Sequence, residues 1–292
     1  MQAIIDNLKE EFKTGTILNK LIYINVGVFI LFNTLGVISF LFQLNITQVI
    51  NKLYLPANFN SLIQQPWSFI SYMFLHSGFL HLVFNMIWLH FGGKLFLQHL
   101  NQKQLLSTYL LGGFFGGLLF IISYNYIPAF QQLTSNTVAV GSSASVFAIM
   151  VAAATYSPNY AIRLPFIGFI KLKHIAIFMI TLDVLSIPKG NAGGNISHIG
   201  GALFGYFYIK QLQKGNDISI NFSNFLNKLK NTFTTKRKVN IIHKRAKSDY
   251  KFNSEKADKQ KEIDKILEKI SISGYDSLNK SEKATLFSAS KK

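Results

Sequence analysis

The sequence predicts an all-α membrane protein: six transmembrane helices in one bundle, followed by a basic tail. Three observations predict it. First, charge is unevenly spread over the 292 residues: positions 1–212 hold 11 basic and 4 acidic side chains, while positions 213–292 hold 19 and 9. A soluble domain is about 25% charged, far above the first stretch and below the second. Second, long apolar runs recur through the first stretch, and a spanning helix needs about 20 such residues. Third, the basic side chains fall in alternate loops, as they do when those loops share one side of a membrane.

The elements follow in order. Residues 1–20 form a charged N-terminal segment. Its mixture of Asp6, Glu10 and Glu11 with Lys9, Lys13 and Lys20, and the late start and length of the first apolar run, argue against a cleaved signal peptide. The core covers 21–212, with spans at Leu21–Phe42, His76–Gly93, Leu105–Tyr124, Val140–Tyr156, His174–Ile187 and Ile196–Leu212. The last two are short and carry one charge each, Asp183 and Lys210; surrounding helices can shield such ends from lipid. Lys94 and Lys103 follow span 2, and Arg163, Lys171 and Lys173 follow span 4, whereas the intervening loops are poor in basic residues. Both termini are therefore expected in the cytoplasm, and spans 2, 4 and 6 all start at the outer side.

With no cysteine in the chain, a disulfide scaffold, a thiolate metal site and a cysteine nucleophile are excluded. A net charge of +17 raises nucleic-acid binding, but the apolar core makes membrane topology the simpler source of that charge, and no nucleic-acid partner is expected.

Polar residues gather at the outer ends of the even spans. Span 2 carries His81 and Asn85 one turn apart, span 4 opens with Gly141-Ser142-Ser143-Ala144-Ser145, and span 6 carries His198. Polar groups at such depth are costly and usually face a cavity. A serine beside a neutral histidine makes a nucleophile and base. An asparagine amide, a second histidine and a helix N-terminus can donate to an oxyanion. No metal or cofactor is needed. Read as residues alone, the Gly-Ser-Ser-Ala-Ser run equally suits a small-residue packing face. Asp183, the only carboxylate in the core, could complete a triad in principle, but is expected instead to bond a neighbouring helix or interfacial backbone.

At these positions the sequence resembles the rhomboid family of intramembrane serine proteases, over about residues 20–212. Gly141-Ser142-Ser143-Ala144 stands at the Gly-x-Ser-Gly motif, His81 to Asn85 at His-x-x-x-Asn, and His198, Gly201 and Gly205 at His-x-x-Gly-x-x-x-Gly. The resemblance implies a six-helix rhomboid-like bundle in a bacterial inner membrane, and a serine endopeptidase that cuts transmembrane protein substrates near the outer face. It implies Ser143 as nucleophile, His198 as base in a Ser–His dyad without an aspartate, and Asn85, His81 and the Ser143 backbone N–H around the oxyanion. Phe147 would stack on the base, Gly201 and Gly205 would let span 6 approach span 4, and Gly141 would allow close backbone approach. Two positions depart from the pattern: Ala144 replaces the usual glycine, and Trp67-Ser68 stands where a Trp-Arg pair is common. The alternative reading is a catalytically inactive rhomboid-like protein that binds membrane helices.

Residues 213–254 read as a basic cytoplasmic linker, including Lys236-Arg237-Lys238 and His243-Lys244-Arg245, attracted to anionic lipid headgroups of the bilayer. Residues 255–292 read as a small helical module: Ile263, Ile266, Leu267 and Ile270 recur at helical spacing, Gly274 suits a stop, and Asn279 to Glu282 suits a capping box.

Overall fold

The computed structural model describes residues 2–164, 168–233 and 249–290, so the clusters at 236–238 and 243–245 lie outside the described residues. The chain divides into two parts, Met1–Thr234 and Thr235–Lys292.

The first part is the apolar bundle. It opens with α1 (Gln2–Thr14) and α2 (Ile17–Leu41). Thr16 starts α2 by accepting from the Asn19 N–H at 3.2 Å. Only Leu18, Leu21 and Asn25 of α2 are buried; Ile30, Leu31, Val37 and Phe40 point outward, a face suited to lipid. The first loop contains α3 (Thr47–Asn51), β1 (Leu55–Pro56), α4 (Phe59–Gln64), α5 (Ser68–Ser71) and a 3-10 turn at Tyr72–Phe74. No arginine follows Trp67, and other bonds anchor this loop. Trp67 Nε1 donates to the Lys52 carbonyl at 2.9 Å, Ser71 Oγ to that of Leu53 at 2.7 Å, and Tyr72 Oη to that of Gly113 at 2.6 Å.

The central helices are α6 (Phe79–Leu97) and α7 (Gln102–Tyr126), then, after β2 (Val138–Ala139), α8 (Ser143–Tyr156). The hairpin β3 (Ala161–Leu164) and β4 (Gly168–Lys171) leads to α9 (Leu172–Ser186), α10 (Ala192–Gln213) and α11 (Ile218–Phe233). The helices α2, α6 and α7 are long and apolar enough to cross a membrane, and α8 is a shorter apolar helix. The six apolar runs thus all fold as helices. Spans 2 and 4 start later than their apolar runs, at Phe79 and Ser143, because His76 and Val140 belong to the extended entries.

Buried α8 is the hub: α6, α7, α9 and α10 all pack on it. Its alanines and the glycines facing it set the spacing. A Cβ on Gly201 would collide with the Ala144 carbonyl oxygen, and one on Gly205 with that of Ala148. On α7, Gly116 lies so close to α10 that a Cβ would sit 2.7 Å from the Ser197 carbonyl oxygen. Lipid offers no hydrophobic drive for helix association, so close backbone packing supplies it.

Three features lie outside the sequence reading, within a fold that remains all-α in class. β1 pairs antiparallel with β2, Leu55 opposite Ala139, and so ties the first loop to the entry of α8. β3 and β4 pair as a hairpin, Ala161 opposite Lys171. At two to four residues each, these strands are too short to show a period of two. The third is α11, which occupies part of the expected linker. Its apolar residues Ile218, Phe222, Phe225 and Leu226 recur at helical spacing among asparagines. Asp217 ties its start to the bundle, accepting from Gln104 Nε2 at 2.9 Å, the Ser219 N–H at 2.9 Å and Tyr208 Oη at 3.3 Å. Burial alone would raise the Asp217 carboxyl, but these bonds hold it below its ordinary value.

The second part is a hairpin of α12 (Asp249–Ser273) and α13 (Lys280–Ser290). Gly274, with φ of 77°, ends α12. Asn279 and Glu282 cap α13 reciprocally, at 2.8 and 2.9 Å, and Lys269 pairs with Glu282 at 3.0 Å. The Asn279 N–H, then Lys269, holds the Glu282 carboxyl below its ordinary value.

Two outcomes follow. Gly205→Val forces a branched side chain against the Ala148 carbonyl and should cost at least about 1–3 kcal/mol, read as a lower thermal-unfolding midpoint in detergent. For Glu282 the folded carboxyl is the stronger acid, so its contribution is complete above the ordinary carboxylate range and disappears as pH falls through the folded-state value. Protection of the α13 amides, taken relative to the intrinsic exchange rate at each pH, should therefore fall on acidification, and Glu282→Ala should lower it already at neutral pH.

Candidate active site

The site is built where the extended entry to α8 meets α6 and α10. Gly141 has φ of 130°, a conformation that only glycine adopts at low cost. Its N–H donates to the Tyr72 carbonyl at 3.0 Å. A Cβ there would lie 2.8 Å from His81 Cε1, 2.9 Å from His81 Nε2 and 3.6 Å from Ser143 Oγ. Glycine thus lets the His81 ring and the Ser143 hydroxyl converge on one small volume.

Ser143 is the first residue of α8. The helix start carries backbone N–H groups without intrahelical partners. The preceding Ser142 does not cap them with its side chain, because its hydroxyl is engaged by His76 Nε2 at 3.1 Å. The Ser142–His76 pair was not foreseen from sequence. Ser142 is fully buried and absent from the cavity wall, whereas Ser143 lines it. Ser145 is also fully buried, against Gly113.

His81 and Asn85 project from α6. The Asn85 amide donates one hydrogen to the His81 carbonyl at 2.8 Å and keeps another for the cavity, which Asn85 lines. His81 Nδ1 meets Ser77 Oγ at 3.0 Å. If the Ser77 hydroxyl donates, Nδ1 is the acceptor and Nε2 carries the proton.

His198 comes from α10. Phe147, one turn along α8 from Ser143, stacks on its ring, with centroids 4.4 Å apart and planes 14° from parallel. Its Nδ1 lies 3.0 Å from Asp183 Oδ1 on α9. Asp183 thus bonds a neighbouring helix, and the partner there is the histidine itself, a pairing that the sequence reading did not assign. Ser143 and His198 share the cavity wall, and no direct hydrogen bond joins them among the described residues. Such contacts often tighten only when a substrate is bound.

The cavity, of about 1220 Å³, is lined by Ser143, His198, His81, Asn85, Gly141, Phe147, Ser77 and Asp183. It extends between α6 and α9, along Phe84, Trp88 and Phe91 on one side and Phe178, Met179 and Leu182 on the other. His174 in the first turn of α9 also lines it, nine residues and roughly 13 Å of helix from Asp183. The result is an apolar groove with most of its polar groups gathered at one end and His174 set apart from them. Among the described residues no group of three or more His, Cys, Asp or Glu side chains is arranged to hold a metal ion.

Comparison with known proteins bears on the same helices. The Rhomboid domain family model matches residues 63–214, and a family of unknown function, DUF6576, matches residues 247–292. The chain is 31% identical over 157 residues to "RHOMBOID-like protein 12, mitochondrial" of Arabidopsis thaliana, covering 50% of this chain and 46% of that protein. It is 29% identical over 140 residues to "Presenilin-associated rhomboid-like protein A, mitochondrial" of Danio rerio, covering 47% of this chain and 35% of that protein. The chain thus spans less than half the length of either relative. The Rhomboid domain match, residues 63–214, takes in every side chain of the site described above, from His76 and Ser77 just before α6 to His198 on α10: the chain is an integral membrane protein and belongs to the rhomboid family.

Proposed function

We propose that the protein is an intramembrane serine endopeptidase that cuts transmembrane segments of other proteins, with Ser143 as nucleophile and His198 as general base. The observation that carries this reading is the convergence of Ser143, His198, His81 and Asn85, from three helices, on one cavity at the polar end of an apolar groove.

The chemistry follows from the arrangement. Ser143 Oγ attacks the scissile carbonyl carbon as its proton passes to His198 Nε2, the ring nitrogen not engaged by Asp183. The carbonyl oxygen becomes an oxyanion. Three donors lie around it: His81 Nε2–H, the free Asn85 N–H and the backbone N–H of Ser143 at the α8 start. His198 then gives its proton to the departing amine as the C–N bond breaks. A water molecule, deprotonated by the same imidazole, releases the acyl group and restores Ser143.

Peptide hydrolysis in a bilayer needs water at the serine and lipid-like walls for the substrate. The polar end of the cavity suits the first need and the aromatic groove between α6 and α9 the second. A substrate helix entering there must expose its scissile carbonyl, which its own backbone otherwise binds. Helix-weakening residues near the cut and a small side chain before it are the expected substrate features.

The loop charges support six spans with both termini on the cytoplasmic side, and the active site near the outer face. The basic tail suits attraction to anionic headgroups. The engaged, buried Ser142 separates this reading from one in which either serine acts.

The test is cleavage of a reporter membrane helix in proteoliposomes. Ser143→Ala should lower the rate at least about 10³-fold, whereas Ser142→Ala should stay within about tenfold of the parent; equal cleavage by the parent and Ser143→Ala would overturn the mechanism. Asn85→Ala should reduce kcat by roughly 10²- to 10³-fold, as loss of one oxyanion donor does, with KM little changed.

A further inference from the structure

The geometry points to Asp183 as a positioning residue for the base: its carboxylate holds the His198 ring in the tautomer protonated on Nδ1, leaving the Nε2 lone pair for the Ser143 proton. This inference rests on the reading of His198 as base and adds a third member to the Ser–His pair.

Four observations carry it. Asp183 Oδ1 lies 3.0 Å from His198 Nδ1, a distance for a charge-assisted hydrogen bond. Both side chains are largely enclosed, at 12% and 17% exposure. Phe147 stacks on the ring face, so ring plane and in-plane orientation are fixed by two different neighbours. The fourth is the other carboxylate oxygen: Asp183 Oδ2 is buried without a hydrogen-bond partner.

That fourth point argues against a purely structural tie. An enclosed carboxylate with one oxygen unsatisfied is costly, and an apolar pair would join α9 to α10 more cheaply. The charge becomes useful when His198 takes the Ser143 proton, because an imidazolium then forms 3.0 Å from it. In the ground state the same bond selects the tautomer. Oδ1 of an ionised carboxylate can only accept, so Nδ1 must donate, and Nε2 is left as acceptor. An asparagine can offer its N–H instead, which selects the opposite tautomer.

The experiment has two arms on the full chain in detergent or proteoliposomes. In the first, the reporter helix is cleaved by the parent and by Asp183→Asn, Asp183→Glu and Ser143→Ala, with thermal unfolding recorded for each. Asp183→Asn should keep its unfolding midpoint and hold KM within about threefold, while kcat falls by roughly 10²- to 10⁴-fold, the upper figure being that seen when the aspartate of another serine protease is made asparagine. Asp183→Glu should recover most of the loss. If Asp183→Asn cleaves within threefold of the parent, the positioning role is wrong.

The second arm does not depend on proteolysis. With histidine labelled by nitrogen-15, the ring signals of His198, assigned by their loss in His198→Gln, should show the proton on Nδ1 in the parent and a different tautomer in Asp183→Asn. A proton on Nε2 in the parent overturns the inference even if the reporter is cut. Conversely, a parent that holds the Nδ1 tautomer but cleaves nothing leaves the pair intact and removes the protease reading instead.

Discussion

The approach of α10 to α8 is the contact on which the rest of the bundle depends. It is made backbone to backbone, at Gly201 against Ala144 and Gly205 against Ala148, and no side chain larger than hydrogen fits between. In lipid this is a sound way to join helices, since association gains little from burying apolar surface and much from close packing. The contact also fixes the site. Ala144 follows Ser143 directly, and Gly201 lies three residues beyond His198. The register that seats the glycines on the alanine carbonyls therefore brings serine and histidine to the same end of the same pair of helices. Removing either glycine would move chemistry and stability together.

Around that contact, the polar groups are arranged so that each histidine has one nitrogen assigned and one ready. His81 is held through Nδ1 by Ser77, and His198 through Nδ1 by Asp183. His76 is the exception: its Nε2 goes to Ser142, and its Nδ1 is buried without a partner. The first two line the cavity and the third does not. Two serine–histidine pairs and one aspartate–histidine pair thus occur within one small region, and burial and the partner of each ring separate the roles they can play.

Much of this was legible in the sequence because its signals are one-dimensional. A run of apolar residues is visible without knowing its neighbours, and all six runs fold as helices. Small residues at every fourth position declare a packing face. What stayed hidden depends on pairing across the chain. Asp183 and His198 are 15 residues apart on different helices, and nothing in their local patterns links them. Their one shared signal was a carboxylate alone in an apolar core, which asks for a partner without naming it. The Leu55–Ala139 ribbon joins segments too short to show a period. In α11 the helical spacing was present, but the lysines around it drew the eye to charge.

The pairing of Asp183 with His198 gives α9 two duties at once. The helix forms one wall of the apolar groove through Phe178, Met179 and Leu182, and the residue after Leu182 bonds the His198 ring. If the proposed substrate helix enters by pushing this wall aside, it would also pull the carboxylate from the imidazole, so admission and reaction would oppose each other. On the proposed protease reading, selection would then turn on whether α9 can rest against the guest: a rigid, bulky helix would hold Asp183 away from His198, while a segment that unwinds and thins beside Ser143 would not.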